Sequence, residues 1–218
     1  MPNPSSNLLV RQLGMQPYQA TWQAMREYTN RRTAASPDQL WLLEHPALFT
    51  LGQAGKIEHI LDPGEIPVIK SDRGGQVTYH GPGQLIAYLL LDLRRARIGI
   101  RTLVTHLEEA VIALLREYRI EAAARRDAPG VYIADSKVAS LGLRVRRGCT
   151  YHGLSLNVDM DLSPFKRINP CGYPDLDVTQ LAEQKIETDI PTLGLGLSHH
   201  LAQALGYTLT CIDTEVEP

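Results

Sequence analysis

The chain has 218 residues, of which 44% are hydrophobic and 21% charged, and its formal net charge is −2. This hydrophobic fraction excludes wholesale disorder, and the near-neutral charge argues against bulk nucleic-acid binding. The three cysteines (Cys149, Cys171 and Cys211) cannot all pair with one another, and no apolar run reaches the length of a membrane span. With no signal peptide recognised at the start, we expect reduced thiols in a cytoplasmic protein without a membrane segment.

The predicted elements alternate between runs of strands and single helices. The first seven residues are rich in Pro, Ser and Asn and are predicted to fray, and residues 52–64 have the composition of an exposed loop. Apolar periodicity predicts helices at residues 17–33, 102–118, 179–184 and 191–205. Strands are predicted at residues 40–43, 48–51, 68–70, 76–80, 84–93, 131–134, 138–145, 154–158 and 207–212.

This order of elements predicts an α+β (α/β) fold with a mixed, largely antiparallel sheet flanked by helices. A wholly parallel sheet would need strands and helices in strict alternation, which the sequence lacks. No linker divides the chain into two domains. We therefore expect one domain over residues 8–212, with tails at 1–7 and 213–218, and a monomer.

The densest cluster of chemically active side chains lies in residues 73–84. These twelve residues hold four glycines, a guanidinium, an imidazole, a phenol, a hydroxyl and two amides. Glycine lets the backbone approach a ligand closely, so the segment is either a ligand-binding strand or a Gly-rich hairpin that faces water. It lacks the residues of a phosphate-binding loop and the spacing of a dinucleotide fingerprint.

A second candidate site surrounds Cys171, which stands between a proline and a glycine. This setting would expose the sulfur and turn the following amide N–H toward a developing oxyanion, although a buried structural cysteine is the alternative. Lys137 is one of five lysines against 17 arginines. A nearby ammonium favours the thiolate form of a cysteine, and such a pair can supply a nucleophile and a general acid and base. Cys149 and Cys211 lie on strand-like segments and are interpreted as structural.

Two other chemistries would use similar residue types. Cys149 and His152 form half of a possible zinc site, but no second pair completes four ligands, so we predict no metal. A papain-like hydrolase would pair Cys171 with His80 or His152 as the base, and sequence spacing leaves this possibility open.

The tetrapeptide Thr-Tyr-His-Gly occurs twice, at residues 78–81 and 150–153. The repeat is either chance or a sign that two strand ends bring matching polar groups to one cleft. No repeat of 20–50 residues surrounds it.

Charge is unevenly distributed along the chain. Residues 94–147 hold 12 basic and 6 acidic residues, a net charge of +6, and the remainder carries −8. Solvated helix and strand faces would explain this block, and so would a basic surface that docks an acidic partner.

Five sequence blocks occur in an order that resembles the lipoyl(octanoyl) transferase family. The blocks are LEHP at 43–46, RGGQVTYHGPGQ at 73–84, KVASLGL at 137–143, HGLSLN at 152–157 and PCG at 170–172. The resemblance extends over about residues 8–207, and it implies a fold like the catalytic domains of biotin and lipoate protein ligases.

The resemblance also implies an activity without a cofactor. Members move an octanoyl or lipoyl group from octanoyl-acyl carrier protein to a lysine ε-amine of a lipoyl domain. Such domains occur in 2-oxo-acid dehydrogenase complexes and in the glycine-cleavage H protein. Cysteine attack on a thioester, followed by attack of the lysine amine, would need no ATP.

The same resemblance implies site residues. Cys171 would be the nucleophile and Lys137 its acid–base partner, with backbone N–H groups near Gly172 or residues 140–142 facing the oxyanion. Substrate-binding roles would fall to Arg73, Gly74, Gly75, Gln76, Val77, Thr78, Tyr79, His80, Ser140, Leu141, Gly142, His152, Gly153, Leu154 and Ser155.

Two alternative functions stay in view. An ATP-dependent lipoate or biotin protein ligase would need phosphate-binding groups and no nucleophilic cysteine. A non-catalytic protein that binds acylated carriers or lipoyl domains would keep a basic surface without needing Cys171 or Lys137.

Overall fold

The helices and strands lie close to the predicted positions over most of the chain. A computed structural model describes residues 7–174, 176–186 and 188–212. The helices are α1 (Tyr18–Arg31), α2 (Leu93–Ala96), α3 (Ile100–Glu117) and α4 (Ile190–Leu205), with short 3-10 helices at Ile57–His59, Ser163–Arg167, Pro170–Gly172 and Leu181–Gln184. The strands are β1 (Asn7–Met15), β2 (Asp38–Glu44), β3 (Leu48–Leu51), β4 (Val68–Lys70), β5 (Val77–His80), β6 (Gln84–Leu90), β7 (Ala123–Ala124), β8 (Gly130–Ile133), β9 (Ser136–Arg146), β10 (Cys149–Asn157) and β11 (Thr208–Ile212).

The strands form one sheet of eight and one sheet of three. The large sheet has the order β11-β1-β2-β6-β10-β9-β8-β7, in which β1 pairs in parallel with β11 and β2 and the other neighbours are antiparallel. The small sheet has the order β4-β3-β5, with β3 parallel to β4 and antiparallel to β5. The predicted mixed, largely antiparallel α+β fold is confirmed.

Strand β6 runs through the middle of the large sheet and is buried on both faces. Successive side chains of a strand point to opposite faces. Leu85, Ala87 and Leu89 therefore pack with α3 and α4, whereas Ile86 and Tyr88 pack with α1. Burial on both sides explains why the sequence of β6 is a continuous apolar run.

Helix α3 supplies much of the core on the first face. It buries an apolar stripe that contains Leu103, Leu107, Val111, Leu114 and Leu115, and burial of each such Leu or Val contributes about 1.5–3 kcal/mol to stability. The stripe also contains a charged side chain, Glu108, which is only 9% exposed. A buried carboxylate on an apolar helix face requires a partner, which for Glu108 is the backbone N–H of Gly130.

Strand β1 corrects the sequence-based interpretation of the amino-terminal segment. No strand is predicted there, and Asn7 is assigned to a frayed tail, yet Asn7–Met15 pairs with both β2 and β11. Because β1, α1 and β2 form a parallel crossover unit, the partners of β1 are distant in sequence and leave no local signal. The other predicted tail residues, 1–6 and 213–218, lie outside the described part of the chain.

Strand β10 is longer than the predicted strand at 154–158. It begins at Cys149, directly after Arg147 and Gly148, which both have positive φ angles of 54° and 80°. Two consecutive residues with positive φ form the tight turn that joins β9 to β10 as a hairpin.

Among the described residues, no helix is long and apolar enough to cross a membrane.

Candidate active site

A cavity of about 390 Å³ lies where β5, β6, β9 and β10 meet the turn that carries Cys171. This volume falls within the usual range for small-molecule sites. Of the seventeen residues that the sequence singles out, sixteen line the cavity, including both Lys137 and Cys171. The fold thus brings together segments that are up to about one hundred residues apart in the chain.

Tyr79 is the exception, because it does not line the cavity. Its ring packs against Phe49 and Phe165, with centroids 5.6 and 5.5 Å away, in a separate core cluster behind the small sheet. Strand alternation explains the difference, because Thr78 and His80 face the cavity and the intervening side chain must face away.

Lys137 and Cys171 form a contacting pair at the cavity. Lys137 Nζ lies 3.2 Å from Cys171 Sγ and 3.0 Å from the carbonyl oxygen of Pro129, and the side chain is 2% exposed. The ammonium also lies 5.2 Å from the ring centroid of Tyr132, within the range of a cation–π contact. At this distance a proton can pass directly between the nitrogen and the sulfur.

The backbone around Lys137 fixes it to the segment that follows Cys171. The Lys137 N–H donates to the carbonyl of Asp177 over 2.8 Å, and the Thr179 N–H donates to the Lys137 carbonyl over 3.0 Å. These bonds make an isolated parallel bridge next to β9. The strand therefore anchors the cysteine-bearing segment as well as the lysine.

Cys171 has a strained backbone conformation. It lies in the 3-10 turn Pro170–Gly172 with a φ angle of 56°, in the left-handed region that non-glycine residues seldom adopt. The amide N–H of Gly172 donates to the carbonyl of Asn169 over 2.9 Å. The expectation that this amide faces an oxyanion is therefore wrong, because the turn itself uses it.

Arg73 holds the glycine-rich loop in place. It is 8% exposed, and its Nε donates to Thr50 Oγ1 over 2.9 Å. Its Nη atoms donate to the carbonyl oxygens of Thr50, Gly74 and Gln76 over 2.6 to 2.9 Å. Burial lowers the pKa of Arg73 from its ordinary value. Since no carboxylate among the described residues lies within 4.0 Å, the guanidinium leaves a positive charge beside the cavity.

Two imidazoles form part of the cavity wall. His80 is bonded at both nitrogens, with Nε2 3.2 Å from Thr50 Oγ1 and Nδ1 2.8 Å from Gln84 Oε1. Burial lowers the pKa of His80 well below its ordinary value. Burial also lowers the pKa of His152, although the nearby carboxylate of Asp72 opposes the shift. Burial thus favours the neutral form of both rings, and neither lies within hydrogen-bond distance of the cysteine sulfur.

Asp72 fixes the second histidine. It accepts hydrogen bonds from His152 Nε2 over 3.0 Å, Tyr151 over 2.5 Å and Trp22 over 2.7 Å. Burial alone would raise the pKa of Asp72, but these three donors outweigh it and lower the pKa to about 2. The repeated tetrapeptide thus places both histidines on one cavity, whereas Tyr151 bonds Asp72 and Tyr79 packs in a core.

Several lining residues carry no signal in the sequence. They include the turn at 127–129, the α3 residues Ile100 and Val104, and Tyr18 and Tyr88. The turn contributes backbone atoms, which a sequence does not reveal. Tyr173, which also lines the cavity, lies two residues beyond Cys171 and could have been inferred from that proximity.

Within the described residues, no three His, Cys, Asp or Glu side chains come together as a metal site. Cys149 is 7% exposed, and burial raises the pKa of its thiol, which suits a structural residue. The side chain of Cys211 lies outside the described part of the structure.

Residues 17–193 match the family model described as lipoyl protein ligase A/B catalytic domain. The chain is 58% identical over 204 residues to an octanoyltransferase of Alkalilimnicola ehrlichii, covering 94% of this chain and 95% of the relative. It is 60% identical over 203 residues to an octanoyltransferase of Cellvibrio japonicus, covering 93% and 94%. The chain belongs to the octanoyltransferase family. The predicted resemblance is confirmed, and so is the expectation of an acyltransferase.

The fold of this chain is similar to that of lipoate and biotin protein ligases. A bipartite lipoate protein ligase from Thermoplasma acidophilum superposes with a TM-score of 0.72 at 16% identity, covering 97% of this chain and 87% of that chain. The biotin protein ligase of Aquifex aeolicus gives a TM-score of 0.55 at 13% identity, covering 92% and 70%. These likenesses confirm the predicted fold, and the chemistry must be argued from the site itself.

Proposed function

We propose that the chain transfers an octanoyl group from octanoyl-acyl carrier protein to a lysine ε-amine of a lipoyl domain, through a thioester on Cys171. The observation that carries the proposal is the 3.2 Å contact between Lys137 Nζ and Cys171 Sγ at the wall of a cavity of about 390 Å³. The acceptors would be lipoyl domains of 2-oxo-acid dehydrogenase complexes and the glycine-cleavage H protein, and a lipoyl group would serve as an alternative acyl group.

In the first half-reaction, the Cys171 thiolate attacks the thioester carbonyl of the carrier. The tetrahedral intermediate collapses with release of the carrier's thiolate, which takes a proton from Lys137. In the second half-reaction, the acceptor amine attacks the new thioester, Lys137 takes the proton that the amine loses, and the Cys171 thiolate leaves. One thioester is exchanged for another and then for a more stable amide, so no ATP is consumed.

The cavity walls suit a straight acyl chain. Ile86, Val104, Leu141, Leu143 and Leu154 supply apolar lining from β6, α3, β9 and β10. Gly153 belongs to the same wall, but packing against the neighbouring strand is what requires a glycine at this position. A Cβ at this position would lie 2.0 Å from the carbonyl oxygen of Ala87 on the neighbouring strand.

The oxyanion is assigned to backbone donors of residues 140–142. The competing amide, that of Gly172, already donates to Asn169. Strand β8 ends its pairing with β9 at Ser140, and further along the same edge the loop N–H of Gly74 donates to the Leu143 carbonyl over 2.9 Å. Residues 140–142, between these two contacts, line the cavity. Preorganised N–H groups at such an edge stabilise a developing negative charge.

Basic residues at the cavity suit the docking of an acidic carrier. Arg101 follows the lining residue Ile100, Arg126 precedes the lining residue Asp127, and Arg101 and Arg126 are both exposed. Acyl carrier proteins are acidic, so these guanidinium groups would steer the donor toward Cys171. A cytoplasmic location is part of the proposal, because the cysteine must stay reduced.

Intact mass spectrometry tests the proposal directly. Octanoyl-acyl carrier protein should add one octanoyl unit to the wild-type chain and none to Cys171→Ser, and an apo lipoyl domain should remove it. A chain that gains no octanoyl mass yet binds the carrier would be a non-catalytic binder. Full ATP-dependent ligation by Cys171→Ser would instead identify a ligase.

A further inference from the structure

Glu108 is a buried carboxylate to which the proposed mechanism gives no task. Glu108 lies on the core face of α3, and its Oε1 accepts a hydrogen bond from the backbone N–H of Gly130 over 2.9 Å. Burial raises the pKa of Glu108 above its ordinary value, against the opposing effects of the Gly130 N–H and of Lys137. The side chain therefore lies within electrostatic range of the lysine without forming an ion pair with it.

Gly130 closes a turn whose carbonyl groups all contact the proposed catalytic region. The carbonyl of Asp127 accepts from the Tyr173 hydroxyl over 3.2 Å, and that of Ala128 accepts from the Tyr132 hydroxyl over 2.8 Å. The carbonyl of Pro129 accepts from Lys137 Nζ over 3.0 Å. Glu108 holds the last amide of this turn from the opposite side.

The backbone of Gly130 packs tightly against the side chain of Lys137. Its φ angle is 148°, and a Cβ at this position would lie 2.8 Å from Lys137 Cε and 3.1 Å from Lys137 Nζ. The lysine side chain thus runs directly against the bare backbone of the turn. A small rotation of the peptide between Pro129 and Gly130 would change the position of the ammonium.

The carbonyl of Pro129 and the N–H of Gly130 belong to one planar peptide group and point in opposite directions. Glu108 fixes the N–H on one side, and Lys137 is bonded to the C=O on the other. We propose that Glu108 is a positioning residue that orients Lys137 toward Cys171 through this peptide. The inference rests on the proposed function, because it gives Glu108 a role in the Cys171–Lys137 pair.

Two substitutions of Glu108 distinguish the effect of its side-chain length from the effect of its charge. Glu108→Gln removes the charge but keeps an oxygen at the same distance, so Cys171 octanoylation should stay within roughly threefold of wild type. Glu108→Asp keeps the charge but is one methylene too short to reach the amide of Gly130. Its kcat should fall roughly 10- to 100-fold with KM nearly unchanged, because small errors in position are costly in catalysis. Glu109→Asp, an exposed neighbour on α3, is the matched control and should match wild type.

A readout that needs no acyl donor keeps this test independent of the proposed function. Iodoacetamide alkylation of Cys171 at pH 7 should be slowed in Glu108→Asp and near wild type in Glu108→Gln, with rates normalised to the titrated fraction of reactive Cys171. Equal rates for Asp, Gln and wild type would overturn the inference, as would a Gln variant as slow as Asp. A wild-type chain that is alkylated but never octanoylated would refute the proposed function instead.

Discussion

Lys137 and Cys171 are 34 residues apart in the chain, yet Nζ lies 3.2 Å from Sγ in a site where the lysine is 2% exposed. The described residues place no carboxylate within 4.0 Å of this ammonium. Burial of an ammonium with no carboxylate partner lowers the stability of the fold, and the group that contacts it here is the sulfur of Cys171. Its retention in that position is best explained by a task at the sulfur.

Replacement of this ammonium should therefore separate activity from stability. Lys137→Met keeps the volume of the side chain and removes the buried charge. We expect Cys171 octanoylation to slow by roughly 10²- to 10⁴-fold, the usual contribution of a positioned acid and base. The thermal unfolding midpoint should be equal or higher, since a buried charge without a carboxylate partner is lost.

Rapid-quench mass spectrometry and thermal melting of the same samples check this prediction. Lys166→Met, at an exposed lysine of a 3-10 helix, is the control and should leave the rate unchanged. A Lys137→Met chain that is acylated at the wild-type rate would remove Lys137 from the mechanism.

Electrostatic docking of the donor predicts a dependence on salt. Turnover of octanoyl-acyl carrier protein should fall as salt is added, because screening weakens steering by Arg101 and Arg126. Turnover of an uncharged octanoyl thioester should change little. The double variant Arg101→Glu, Arg126→Glu should have a lower kcat/KM for octanoyl-acyl carrier protein and an unchanged kcat/KM for the uncharged thioester.

Steady-state kinetics with both donors, from low to about 0.5 M salt, provides the measurement. Lys185→Glu is the matched control, because Lys185 is an exposed cation outside residues 94–147. Equal salt sensitivity for the two donors would count against a basic docking surface.

Most of the helices and strands could be predicted from local apolar periodicity. The apolar stripe of α3 lies within eighteen consecutive residues, so its helix can be inferred from spacing alone. Strand β1 cannot be inferred in this way, because its place between β2 and β11 depends on pairing with residues up to about two hundred positions away. The same reason hides the extent of β10 before residue 154.

The site was predictable in its side chains and not in its backbone. Lys137 and Cys171 could be named from sequence blocks, but their 3.2 Å contact depends on a bridge between β9 and residues 177–179. The carbonyl of Pro129 and the occupied amide of Gly172 act through main-chain atoms that every residue possesses. Glu108 was hidden because a carboxylate within an amphipathic helix is ordinarily solvated.

The packing of Tyr79 leads to a prediction that distinguishes core from cavity. Tyr79→Phe should leave kcat and KM within about twofold, because the ring contacts Phe49 and Phe165 outside the cavity. Tyr79→Ala should lower the free energy of unfolding by roughly 3–5 kcal/mol, as for other large buried aromatic side chains. Its activity per folded molecule should be unchanged. Urea unfolding and active-site titration test both statements, and a kinetic defect in Tyr79→Phe would return this residue to the substrate site.

The Asp72–His152 contact predicts a stability that depends on pH. Hydrogen bonds from His152, Tyr151 and Trp22 overcome the effect of burial and lower the pKa of Asp72 to about 2, against 3.8 for the free side chain. A carboxyl group whose pKa is lower in the folded state stabilises it above the unfolded pKa, and loses that effect as the pH falls through the folded pKa. Asp72→Asn should therefore lower the free energy of unfolding by about 2 kcal/mol at pH 7, and by about half as much at pH 3. Urea denaturation of wild type and variant at both pH values measures the difference.

Glu65→Gln, at an exposed carboxylate, is the control and should show no loss at either pH. An Asp72→Asn loss of the same size at pH 7 and pH 3 would mean that the side chain acts through its shape rather than its charge.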